Sequence, residues 1–296
     1  MNRADFLATT AAALAAAGSP AASVSQVAGG KTFIVPFASA PYPHASRANG
    51  HMYDKTLYDA ATHYSNSNVG IFVPDGFHPQ DGAIDAVVHF YGWKHDIKAT
   101  YDTYRLREQM VASKRNAVLI VPEGPTNAPD SGDGKLELDE NGFARFMNDV
   151  CTWMQKNGLS SSAKPGKIVL TAHSGGYGGA GGAIKRGGMN ANVTDVILFD
   201  SAYGYLDEFA AWARGDGKHF LSVFTSDTEN GNVALMGLIQ GAQPNIYVWL
   251  AKDITLERLK TRNATFVLTN DVAHDELLQK YDWYSLFLQS TALAQR

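Results

Sequence analysis

Residues 170–184 read LTAHSGGYGGAGGAI: an apolar run ends, a histidine and a serine follow, and six of the next ten residues are glycine. Glycines at this density form either a loop whose backbone wraps a phosphate or a sharp bend that presents the one serine among them. Gly176, Gly178 and Gly181 satisfy G-x-G-x-x-G, and Asp200 closes an apolar run about twenty residues later, as in a dinucleotide-binding unit. That fingerprint needs its first glycine almost at the strand end, so that the pyrophosphate meets the helix N-terminus. Here Ala172, His173, Ser174 and Gly175 intervene. The bend reading uses those four residues. Ala172-His173-Ser174-Gly175-Gly176 is small-x-Ser-x-small, the pattern of a nucleophile elbow, where the strained backbone at the serine tolerates no bulk two residues to either side. The remaining glycines then let the following helix lie close to the sheet, at a propensity cost of up to about 1 kcal/mol each.

The flanking sequence supports a strand before this bend and a helix after it. Apolar, β-branched runs at 69–74, 84–91, 116–122, 167–172, 193–199, 219–225 and 264–270 read as strands. Amphipathic stretches at 100–115, 141–158, 204–215, 233–241 and 275–289, with the glycine-rich segment to about Gly187, read as helices; NIYVWL at 245–250 fits either type. Strands of this length alternating with helices predict βαβ units and a mostly parallel sheet with helices on both faces, an α/β class. In such sheets ligands sit beyond the carboxyl ends of the strands, which directs attention to the residues just after each run.

A serine hydroxyl is a weak nucleophile and needs a base, an acid that orients the base, and donors for the oxyanion. His274, in DVAHDEL after the last strand, is the candidate base. For the acid there are two positions. Asp200 closes VILFD, 26 residues after Ser174, while Asp227 and Glu229 lie in the turn-rich TSDTENGN after the next strand.

The elbow and the chain order Ser, Asp, His resemble the α/β-hydrolase fold, over the chain from about residue 65 to its end. The resemblance implies a serine hydrolase of esterase or lipase type. Most of that family carries its acid at the later position, a minority at the earlier one in an Asp-x-Ala context like Asp200-Ser201-Ala202. Asp200 is the expected acid and Asp227 its alternative. The resemblance also implies an oxyanion hole from the amides of Trp93 and Gly175, since Tyr91-Gly92-Trp93 follows a strand where the family commonly has His-Gly-x. Tyr91 replaces that histidine, which leaves two readings for it, a hydroxyl at the reacting centre or an aromatic core residue.

Composition narrows the classes. The 296 residues are 45% hydrophobic and 18% charged with a net charge of -4, enough for a large core and without the basic field that nucleic acid requires. Residues 1–28 read as an export signal: one arginine, an alanine-rich apolar stretch, then small residues. Its RADFL resembles the twin-arginine signal, with Ala4 where the second arginine would stand, and implies a bacterial periplasmic or extracellular location. Residues 29–296 are expected to form one domain, and no later apolar run approaches the ~18 residues of a membrane span. The lone Cys151 allows no intramolecular disulfide and falls on the apolar stripe of helix 141–158. The histidines show no H-x-x-x-H spacing, so neither metal nor cofactor is expected.

The expected function is hydrolysis of a carboxylic ester, on a small-molecule or polymeric substrate, through an acyl-enzyme on Ser174. Amide cleavage and acyl transfer share the same machinery and remain open, as do a dinucleotide-binding oxidoreductase and a non-catalytic binding protein on the same scaffold. Tyr91, Trp93, Tyr177, Tyr203 and Tyr205 are candidates for lining an acyl pocket. Acyl length and oligomeric state are not legible.

Overall fold

The computed structural model of the chain describes residues 23–240, 246–260 and 264–296. The apolar runs pair as expected. The strands are β1 (Ser23–Val27), β2 (Gly30–Pro36), β3 (His51–Tyr53), β4 (Thr56–Tyr58), β5 (Asn68–Pro74), β6 (Ala83–Phe90), β7 (Val118–Pro122), β8 (Lys164–His173), β9 (Val193–Phe199), β10 (His219–Phe224), β11 (Ile246–Leu250) and β12 (Ala264–Leu268). Ten of them form one sheet in the order β1-β2-β5-β7-β6-β8-β9-β10-β12-β11, and β3 with β4 makes a separate hairpin. From β7 through β11 every pair is parallel. On the other side β5, β2 and β1 add antiparallel strands.

The parallel strands are covered on both faces, which is why they read as continuous apolar runs. Alternation along β8 assigns the two layers: Ile168, Leu170 and Ala172 join one apolar cluster, and Val169 joins the other. The first cluster packs under helices Gly142–Lys156, Tyr177–Arg186, Leu206–Ala213 and Glu229–Gln240. Helices Ile97–Thr103, Leu106–Ser113 and Trp283–Gln289 cover the second. Cys151 is fully buried in the first cluster, and burial pushes its thiol up to about 12.

Several boundaries differ from the sequence reading. The helix expected over 100–115 breaks in two at Arg105, whose φ of 51° leaves the helical region. The final helix, expected from 275, begins at Trp283, because Tyr281 and Asp282 take left-handed conformations. NIYVWL contributes the edge strand β11. Strands β1 and β2 lie ahead of residue 65, from which the resemblance was traced, and β2 falls inside the expected domain of residues 29–296. Ser23–Val27, inside the stretch read as an export segment, pairs with β2; residues 1–22 of that stretch lie outside the described residues.

Candidate active site

β8 ends at His173, and Ser174 follows at φ 52°, left-handed for a residue with a side chain. A three-residue turn, Ser174–Gly176, leads into helix Tyr177–Arg186. Such a conformation persists only where the surroundings enforce it. They do so through close backbone approach. A Cβ on Gly92 would lie 2.6 Å from Ser174 Cβ, and one on Gly176 would lie 2.2 Å from the Phe90 carbonyl oxygen. The carbonyl of Ser174 is held from the far side by the Ser201 hydroxyl, which donates to it at 2.7 Å.

The glycines that fit the dinucleotide spacing all abut protein. Gly176 meets Phe90, Gly178 the Ser131 carbonyl and Gly181 the Tyr205 ring, so their smallness is explained by packing of the helix.

His274 lies beyond β12, in the short turn His274–Glu276. Its Nδ1 is 2.8 Å from Asp200 Oδ2 and 3.9 Å from Asp227 Oδ2. The two acids differ more in setting than in distance: the Asp200 side chain is fully buried, whereas Asp227 is 56% exposed. Asp200 sits at φ 46° just past β9 and accepts three further hydrogen bonds, from Thr225 N at 3.0 Å, Thr225 Oγ1 at 2.5 Å and the Thr228 hydroxyl. Burial pushes its carboxyl up, but the bonds from His274, Thr225 and Thr228 outweigh that and hold it below the ordinary carboxylate value. For His274 burial works against the charged form, and the Asp200 carboxylate reverses the balance, leaving the imidazole above its ordinary value.

His173 was not among the sequence candidates. Its Nε2 lies 3.0 Å from the carbonyl oxygen of His274, and the two rings sit 4.9 Å apart. Because a carbonyl can only accept, Nε2 carries the proton. Complete burial, with the like charge of His274 second, takes His173 down to about 4, so the ring is neutral.

Ser174 and Gly175 open into a cavity of about 340 Å³ walled by Trp93, Ser131, Tyr177 and Tyr203. Three of the five aromatic candidates therefore face it. Tyr91 does not: it is 6% exposed, donates to Glu123 Oε1 at 3.1 Å and accepts from Gly124 N at 2.8 Å, a core role. Tyr205 donates to Glu137 Oε1 at 2.9 Å and packs on the helix at Gly181. Trp93 and Gly175 share the mouth of the cavity, with the Trp93 side chain 40% exposed.

The threonines under Asp200 and the serine at the cavity wall escaped the sequence reading because TSDTENGN and APDSGDG look like ordinary turns. The only signal for Thr225 and Thr228 was position, just past the carboxyl end of β10, and Ser131, well beyond the end of β7, had none. Among the described residues, Asp200, Asp227 and His274 form one set of potential metal ligands, and His173, His274 and Asp275 another. In the first set the 2.8 Å separation of His274 from Asp200 is that of an N–H···O bond, not of two groups spread around an ion.

No family model matches the chain, and no curated protein matches it. Solved structures do. A mutant feruloyl esterase module from Clostridium thermocellum, complexed with sinapinate, aligns at TM-score 0.53 and 10% identity over 88% of this chain and 94% of that one. An S-formylglutathione hydrolase from Agrobacterium tumefaciens aligns at TM-score 0.54 and 10% identity, over 90% of this chain and 97% of that one. A ferulic acid esterase gives TM-score 0.52 at 11% identity, covering 75% and 91%. With the strand order, the bend after β8 and these alignments agreeing, the chain has the α/β-hydrolase fold.

Proposed function

We propose that the protein is a serine hydrolase that cleaves a carboxylic ester through an acyl-enzyme on Ser174. The observation that carries this reading is the buried, four-fold hydrogen-bonded carboxylate of Asp200 at 2.8 Å from His274 Nδ1, in a chain whose Ser174 is held at φ 52° in the bend after β8. In this mechanism Asp200 fixes the tautomer with the proton on Nδ1, leaving Nε2 free to take the proton of Ser174 as its Oγ attacks the carbonyl carbon. The amides of Trp93 and Gly175 stabilise the tetrahedral oxyanion, each such donor contributing about 3 kcal/mol in a water-poor site. His274 returns the proton to the leaving alcohol. Water, deprotonated by the same imidazole, then releases the acid.

The cavity supports an apolar or aromatic acyl group, since Trp93, Tyr177 and Tyr203 supply most of its wall. Feruloyl esterases among the structural neighbours are consistent with this. The sequence reading of an export signal belongs to the same proposal, an enzyme acting outside the cytoplasm. Among the described residues no helix is long and apolar enough to cross a membrane.

A fluorophosphonate probe tests the nucleophile: wild type labels and Ser174→Ala does not. Folded wild type that takes no label, or equal labelling of the variant, overturns the proposal. A panel of p-nitrophenyl esters graded from acetyl to cinnamoyl, with matching anilides, then reads acyl preference and bond type. Turnover of anilides above esters would replace esterase by amidase.

A further inference from the structure

Ser131 lines the same cavity as Ser174, on a segment that the elbow mechanism does not use. Its Oγ accepts a hydrogen bond from the Trp93 indole Nε1 at 2.8 Å. Indole N–H is a donor only, so this bond occupies an acceptor site of the hydroxyl and leaves the O–H proton free to donate. The direction of that donor is set by what lies beside it. A Cβ built on Gly175 would come within 2.7 Å of Ser131 Oγ and 2.8 Å of Trp93 Cδ1, so the hydroxyl lies directly over the backbone of the residue after the nucleophile.

The segment that carries Ser131 is fixed on both sides. Asp130 is clamped by Arg47, with Nε to Oδ2 at 2.6 Å and Nη2 to Oδ1 at 2.9 Å, and it also accepts from Gly132 N at 3.0 Å. The Gly132 carbonyl takes the Tyr42 hydroxyl at 2.8 Å. On the opposite side the Ser131 carbonyl presses on Gly178, where an added Cβ would lie 2.1 Å away. A bidentate, mostly buried ion pair on one flank and a buried tyrosine on the other hold this largely buried turn rigid. A hydroxyl that must hold its direction while charge develops needs such support.

We propose that Ser131 is a catalytic residue, a side-chain donor to the oxygen of the reacting carbonyl that adds to the backbone donors of the oxyanion hole, with Trp93 Nε1 as its positioning group. The inference rests on Ser174 as the nucleophile. Since Gly175 leaves no side chain between Ser131 and the reacting centre, the hydroxyl reaches the same oxygen that the Gly175 amide serves. The interaction strengthens as the carbonyl becomes an oxyanion, so it acts on the rate and not on ground-state affinity.

The test compares Ser131→Ala, Ser131→Thr and Trp93→Phe on one activated ester, together with inhibition by a boronic acid that forms a tetrahedral adduct. Ser131→Ala is expected to lower kcat on the order of 10²-fold with KM unchanged, and to weaken the boronate by a similar factor. Ser131→Thr, which keeps a hydroxyl, recovers most of the rate. Trp93→Phe gives a smaller loss, and in the double variant the two losses do not multiply. Unchanged kcat in a folded Ser131→Ala, or a change confined to KM, overturns the role. Fluorophosphonate labelling separates this from the nucleophile: Ser131→Ala still labels, only more slowly, whereas failure of wild type to label rejects the reading of Ser174 itself.

Discussion

His173 Nε2 donates to the main-chain oxygen of His274 at 3.0 Å, so the residue before the elbow serine holds the loop that carries the imidazole. This bond ties the end of β8 to the turn after β12, two points far apart in sequence. His173→Phe keeps a ring against Tyr104, 5.1 Å away, and removes the N–H donor. The variant is expected to fold and to lose kcat on the order of 10- to 100-fold with little change in KM, since a loosened base is a misplaced base. Steady-state kinetics on one ester, with a melting curve as the folding control, checks it; unchanged kcat would assign the bond to packing alone.

The choice between acids is expected to be sharp. Asp200→Asn should lose about three to four orders of magnitude in kcat, as removal of an orienting aspartate does elsewhere. Asp227→Asn, 3.9 Å from the imidazole and half in water, should stay within about threefold of wild type. The reverse ranking, in folded variants, would move the acid to the later position.

The same pair sets the pH dependence. Burial lowers the imidazole pKa of His274, but the Asp200 hydrogen bond overcomes this and leaves it above the ordinary 6.5. With the neutral ring as the proposed base, kcat/KM should fall with decreasing pH through a limb above that value. In Asp200→Asn the residual activity should show the limb shifted to lower pH. Stability moves with opposite signs at the two groups. The raised His274 contributes stability below its unfolded pKa that is lost as pH rises through the folded one. The depressed Asp200 contributes stability above the ordinary 3.8 that is lost as pH falls through its folded value. Both contributions are present near pH 5, between the two titrations, so the destabilisation caused by Asp200→Asn should be larger there than at about pH 9, where the His274 contribution is lost, measured by denaturant titration.

Glycines in two helices make a matched test of packing. A Cβ on Gly182 would lie 2.3 Å from Glu137 Cα and 2.7 Å from its carbonyl oxygen, backbone atoms that cannot rotate away. Gly182→Ala should destabilise by about 1–3 kcal/mol or more. Gly237, in helix Glu229–Gln240, has nothing within 4 Å of the same position. Gly237→Ala should stabilise by roughly 0.5–1 kcal/mol through helix propensity. Melting curves of the two single variants decide both.

The parts of the site that the sequence displayed are those with a local cause. Ser174 was visible because its bend excludes bulk at neighbouring positions, and His274 and Asp200 because each follows an apolar run. Trp93 and Gly175 rested on resemblance, and both line the cavity. Tyr91 was ambiguous until its hydroxyl was seen paired with Glu123 and Gly124. Thr225, Thr228 and Ser131 were invisible for another reason: hydroxyl residues in turns have a local use of their own, so only tertiary partners distinguish them. The fold was legible wherever strands are buried on both faces. It was obscure at β1, which is mostly exposed, and at Arg105 and Tyr281, where a single left-handed residue interrupts a helical pattern.

The crowding around the glycine-rich helix constrains how this chain can be altered. Gly176, Gly178 and Gly182 are fixed by distances to other main-chain atoms, so these three positions accept no added side chain. Under the proposed function, tuning toward new acyl groups falls to Trp93, Tyr177 and Tyr203, whose rings present replaceable atoms to the cavity.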